Sequence, residues 1–185
     1  MRRIFAVLMI CVLLAGCTGE ESVLASAIEF RAALVQAGGC SFRAQIEADF
    51  GDRIEAFTAD CDFSADGTAR LTILAPETLA GITAAVTDSG GKITYDGMSV
   101  DFGLLANGNV IPAAAPALTA LCWCKEYISA AGWDEDIYRV TYEKDFDEKR
   151  LLIDTFFKND LPICAEVCYN NQRILKLNIS DYTLH

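Results

Sequence analysis

The chain has 185 residues, a formal net charge of −11 and one histidine, His185, at its C-terminal end. That length suits one domain, able to bury roughly 70% of its unfolded surface. A single terminal histidine excludes Ser-His-Asp and Cys-His catalysis and catalytic zinc held by histidines, and the acidic balance argues against nucleic acid as a partner. No catalytic residue, metal ligand or cofactor is assigned, and the chain is not read as an enzyme.

Arg2 and Arg3 precede an apolar run from Ile4 to Gly16. A helix of that length reaches about 20 Å at ~1.5 Å per residue, short of the ~30 Å hydrocarbon core, so it reads as a secretory signal rather than a transmembrane span. The run closes on Leu14-Ala15-Gly16-Cys17, followed at once by the polar "TGEES". This resembles the lipobox of bacterial lipoproteins. The resemblance implies cleavage before Cys17 and acylation of its thiol, palmitate being a typical chain. Residues 1–16 are then the signal peptide, 17–24 the lipidated cysteine and a tether, and 25–185 a single domain. Loss of residues 1–16 removes two arginines and no acidic residue, leaving 13 basic against 26 acidic side chains, a net of −13. The expected location is the extracytoplasmic side of the cell membrane, with the membrane itself a partner through the anchor.

"ASAIEFRAALVQAGG" carries Ala27, Ile28, Leu34 and Val35 at helical spacing, and Gly38 and Gly39 stop the helix. The period then changes to two. In "SFRAQIEADF", Phe42, Ala44, Ile46, Ala48 and Phe50 share one face of a strand and charged or polar residues the other. "RIEAFTADCDF" is a second strand with a phase shift between Ala56 and Phe57 that predicts a bulge, and "TARLTILAP" a third. Three short strands follow, with turns at Ser89-Gly90-Gly91 and Asp96-Gly97. Pro116 opens a second helix in which Ala117, Ala120, Leu121, Cys124, Tyr127, Ile128 and Ala131 fall at helical spacing before Gly132. "DIYRVTY", "LLIDTFF", "PICAEVCY" and "RILKLNISDY" are four further strands. The expected class is α+β: a strongly curved antiparallel sheet, an incomplete β-barrel, with helices over its concave face.

This order of elements resembles the LolA/LolB and LppX-type lipoprotein-carrier fold over residues 25–182. "FRAALVQAGGCSFRAQIEADFGD", "DGTARLTILAPETLAGI" and "ITYDGMSVDFG" look like uncharacterised LolA-like lipoproteins of clostridia and their relatives. The resemblance implies a concave apolar cavity that takes a lipid, an acyl chain or a partner protein. No functional residue of the family is carried over to a position here.

On the alternation, Phe42, Ile46, Phe57, Phe63, Leu71 and Ile73 face the concave side, with Trp123 and Tyr127 beside the second helix. These eight are the candidate lining of a ligand cavity, and all eight serve equally as core or lid packing. Six cysteines follow Cys17, and Cys40 and Cys61, close across the first hairpin, are the candidate disulfide. The pairing of Cys122, Cys124, Cys164 and Cys168 stays open. Two readings of function stand side by side: an apolar ligand held in the cavity, or an envelope protein bound by the scaffold. A packed interior counts against the first, and a contiguous exposed apolar patch favours the second.

Overall fold

The computed structural model describes residues 18–106, 109–146, 149–170 and 172–185. The expected signal peptide, residues 1–16, and Cys17 lie outside the described residues. Helix α1 (Thr18–Ala37) leads into strands β1 (Gly39–Asp49), β2 (Ile54–Ser64), β3 (Thr68–Ala75), β4 (Thr83–Val86), β5 (Gly91–Tyr95) and β6 (Met98–Phe102). A two-residue pair, β7 (Leu105–Ala106) and β8 (Asn109–Val110), precedes helix α2 (Ala115–Lys125). Strands β9 (Tyr127–Asp134), β10 (Ile137–Phe146), β11 (Lys149–Lys158), β12 (Leu161–Tyr169) and β13 (Gln172–Leu184) complete the chain.

Eleven strands form one antiparallel sheet in the order β6-β5-β4-β3-β2-β1-β13-β12-β11-β10-β9. The chain walks outward from β1 to the β6 edge. It then crosses through α2 to the opposite edge and walks back until β13 pairs with β1. Local chemistry sets the turns. Gly38, at φ +86°, ends α1, and its N–H donates to Val35 O. At Gly39 a Cβ would sit 2.1 Å from Phe63 O, so only glycine lets β1 start so close to β2. Asp96-Gly97 and Asn159-Asp160 each take positive φ at both positions, the geometry of tight two-residue hairpins.

Three expectations differ from the structure. The second helix ends at Lys125. Glu126 is extended, and Tyr127–Asp134 runs as the edge strand paired to β10, from Tyr127↔Glu143 to Asp134↔Ile137. Helical spacing alone could not exclude this. Every residue of α2 from Ala115 to Trp123 is buried, so the segment has no polar face whose period could mark its end. The expected bulge between Ala56 and Phe57 is absent from the β1–β2 register, which is unbroken from Gly39↔Ser64 to Asp49↔Ile54. The irregularity falls at Thr58/Ala59, on the side facing β3. Helix α1 also starts at Thr18, so residues 18–24, read as a tether, are helical.

Candidate functional site

The concave face can be followed strand by strand, because residues directly opposite in an antiparallel pair project to the same side. One row runs Phe42, Cys61, Leu71, Ala84, Ile93, Val100. A second runs Ile179, Ala44, Ala59, Ile73 and continues on the β5–β6 side with Tyr95 and Met98, Ile82 O accepting from Ile73 N between them. Both rows are apolar throughout.

The two helices cover only part of this face. Trp123 of α2 is fully buried, with its ring centroid 5.6 Å from Phe30 of α1 and 5.6 Å from Phe42, and its Nε1–H donates to Thr155 Oγ1 at 2.9 Å. Arg31 of α1 ties the helices together. Its guanidinium donates to Trp123 O at 2.7 Å, Glu126 O at 2.6 Å and Cys122 O at 3.4 Å, and lies over the Tyr142 ring. These carbonyls lie at the C-terminal end of α2; Cys122 O also accepts the Glu126 N–H, whereas Trp123 O and Glu126 O have no donor within the helix, and a cation there meets the negative end of the helix dipole. Beneath the helices the sheet is filled with side chains.

The candidate lining residues therefore separate into three groups. Phe42, Ile46, Phe63, Leu71 and Trp123 lie buried in the packed core. Phe57 and Ile73 are half-buried, at the border of the covered region. Tyr127 is exposed on the edge strand, opposite Glu143 and away from the other seven. Clefts among the described residues are open surface depressions. One of about 550 Å³ is lined by charged residues including Arg43, Asp60, Asp62 and Arg70, and one of about 370 Å³ lies between α1 and β9.

Where the helices stop, the concave face stays apolar and becomes exposed. Along the first row, burial is complete to Ala84, Ile93 is half-buried and Val100 is 67% exposed. Along the second, Ile73 and Ile82 are half-buried, Tyr95 is 51% exposed and Met98 68%. The opposite face of β5 and β6 is polar. Thr94 hydroxyl bonds that of Ser99 at 3.0 Å, and Lys92 pairs with Asp101 at 3.6 Å. The exposed apolar face of β5–β6, bordered by Ile73 and Ile82, is the candidate site. It was readable in "KITY" and "MSVDF", whose alternation places Ile93, Tyr95, Met98 and Val100 together. That the helices leave it bare, and that Arg31 holds them where they are, depends on long-range packing that no local pattern carries.

The cysteines do not form a site. All six described cysteines are free thiols. Cys40 and Cys61 share the buried face of β1 and β2, but the register pairs Cys40 with Phe63 and Cys61 with Phe42. They are diagonal neighbours at about 7–8 Å, beyond the usual Cα separation of a disulfide. Burial pushes the Cys40 thiol up to about 12, and raises Cys61 and Cys122 as well, so these thiols stay protonated and serve as small apolar groups. Cys122 and Cys124 lie on α2, on the concave side, whereas Cys164 and Cys168 pair with Phe156 and Leu152 on the convex side. The sheet separates the two clusters.

No protein-family model matches the chain, and no curated protein matches it. Among solved structures, a LolA superfamily protein from Nitrosomonas europaea superposes with a TM-score of 0.50 at 10% identity, covering 91% of this chain and 94% of that one. The fold is LolA-like. A putative outer membrane lipoprotein-sorting protein domain from Vibrio parahaemolyticus matches at TM-score 0.44 and 8% identity, over 89% of this chain and 93% of that one. LprF from Mycobacterium bovis matches at 0.38 and 13%, over 85% and 96%. In the LolA-like fold described here an eleven-stranded open sheet is combined with two helices. Among the described residues no helix is long and apolar enough to cross a membrane.

Proposed function

We propose that this LolA-like chain is a lipid-anchored binding module on the extracytoplasmic side of the cell membrane, and that it holds an apolar ligand, the acyl chain of a lipid or lipoprotein, on the open concave face of β5–β6. The observation that carries this is the asymmetry of those two strands: apolar and largely bare on the concave side, polar on the convex side. A surface of this kind is left uncovered where something else is to cover it. An acyl chain laid along Ile73, Ile82, Ile93, Tyr95, Met98 and Val100 needs few hydrogen bonds. Each methylene removed from water contributes about 0.8 kcal/mol. The anchor is Cys17, through its lipobox context. The role is binding rather than catalysis.

A second reading is favoured by the packed interior. With Trp123 filling the space beneath the helices, the bare face is a surface and not an enclosed cavity, which suits the apolar side chains of an envelope protein. Native mass spectrometry of residues 18–185, purified without detergent and offered palmitate and phosphatidylglycerol, separates the two. A reproducible lipid adduct supports the first reading, and a bare polypeptide mass moves the face to a protein partner.

A further inference from the structure

Helix α1 is apolar on two sides. Val23, Ala27, Phe30 and Leu34 form the buried stripe against the sheet. Leu24, Ile28, Ala32 and Val35 form a second stripe, displaced by about 100° at 3.6 residues per turn, and all four are exposed, Ile28 at 53%. The stripe borders the cleft that Leu24 shares with Ile128 and Ala131 of β9. Its occupant is indicated by the sequence just ahead of it. α1 is already helical at Thr18, one residue after Cys17, so a lipid on Cys17 leaves no spacer between bilayer and helix. Leu24 then stands about 10 Å along the helix from the anchor and Val35 about 27 Å, at 1.5 Å per residue. An upright helix would hold most of the stripe in water, and a helix lying along the surface buries all of it. Among the residues whose burial is described, the acidic ones here are Glu21, within the stripe, and Glu29, on its flank, so the attraction is apolar burial and not charge.

We infer that the outer stripe of α1, Leu24, Ile28, Ala32 and Val35, lies on the surface of a zwitterionic bilayer and fixes the orientation of the anchored domain. This rests on the reading that Cys17 is acylated. The test uses the acylated full chain in phosphatidylcholine vesicles, with lipids brominated along the acyl chain as short-range quenchers. Tryptophan is placed at Ile28→Trp or at Ala33→Trp, exposed positions about 140° apart around α1. Trp133→Phe is included in both variants, leaving the buried Trp123 as a constant background. The inference predicts that the Ile28→Trp signal loses more than half its emission and the Ala33→Trp signal is unchanged. If both stay bright while the protein floats with the vesicles, the domain stands clear of the bilayer and the inference is overturned. Equal quenching at both positions overturns it too, because no single face is then chosen. Failure to float with the vesicles overturns the anchoring itself, and the orientation with it.

Discussion

Arg31 shows how one side chain can hold two helices. Its three acceptors are backbone carbonyls at the end of α2, so no partner side chain marks the contact in the sequence. Replacing it with methionine keeps the apolar stem and takes the donor from Trp123 O and Glu126 O, while Cys122 O keeps the Glu126 N–H. Charge-assisted bonds of this kind contribute roughly 1.5–3 kcal/mol each, so Arg31→Met is expected to cost about 2–4 kcal/mol once water re-solvates the outermost acceptor. A lower urea midpoint with an unchanged slope checks this, and a midpoint within error of wild type refutes it. Arg31→Lys should recover only part of the loss, since an ammonium cannot spread over three carbonyls as a guanidinium does. The buried thiols make a second prediction at this scale. Cys40 titrates near 9 when exposed and is held up to about 12 in the fold. Between those values the unfolded chain gives up a proton that the native chain keeps, so stability is full below about pH 9 and falls as pH rises toward 12. The slope is about 1.4 kcal/mol per pH unit for each such thiol. Urea titrations at pH 8 and pH 10.5, for wild type and Cys40→Ala, read it directly. The variant should show the shallower fall, and identical pH slopes would contradict the assignment.

At the level of elements, the strands of the first meander and of the C-terminal half were legible because each alternates and each is closed by a turn with Gly, Asn or Asp at a position that needs them. Asp96-Gly97 is the clearest case. The register of Cys40 against Cys61 was not, because a two-residue difference in the length of the Gly51 turn changes a direct pair into a diagonal one on the same face. Tyr127–Asp134 was misread for a different reason. It follows a helix buried on every side, and only pairing with β10 separates the strand from three more residues per turn of helix. The same layout predicts how the elements open. β1 and β13 lie at the centre of the sheet under both helices, whereas β6 is an edge strand with one neighbour and bare side chains. Hydrogen exchange should find the amides of β1 and β13 opening only with global unfolding, and those of β6 exchanging orders of magnitude faster. Equal protection across the sheet would mean that β6 is covered by something other than its one strand neighbour.

For the whole molecule, the curved sheet with helices on its inner side followed from the order and period of the elements. The position of the binding face did not. Phe42, Ile46, Phe63 and Leu71 share their side of the sheet with Ile93, Tyr95, Met98 and Val100. What distinguishes a core residue from an exposed one is where α1 and α2 stop. That boundary is set by contacts such as Trp123 on Thr155 and Arg31 on Glu126, between residues 32 and 95 positions apart. The central claim is that the bare concave face of β5–β6 binds an acyl chain. It is tested most directly by titrating a fluorescent fatty acid into wild type, Val100→Asp and Ala85→Asp. Val100 is on the concave face and Ala85 on the polar one, and both are exposed, so neither change reaches the core. The account predicts that wild type and Ala85→Asp bind alike and that Val100→Asp binds at least about tenfold more weakly, a loss of some 1.4 kcal/mol. Equal binding by all three, or none by wild type, would contradict it.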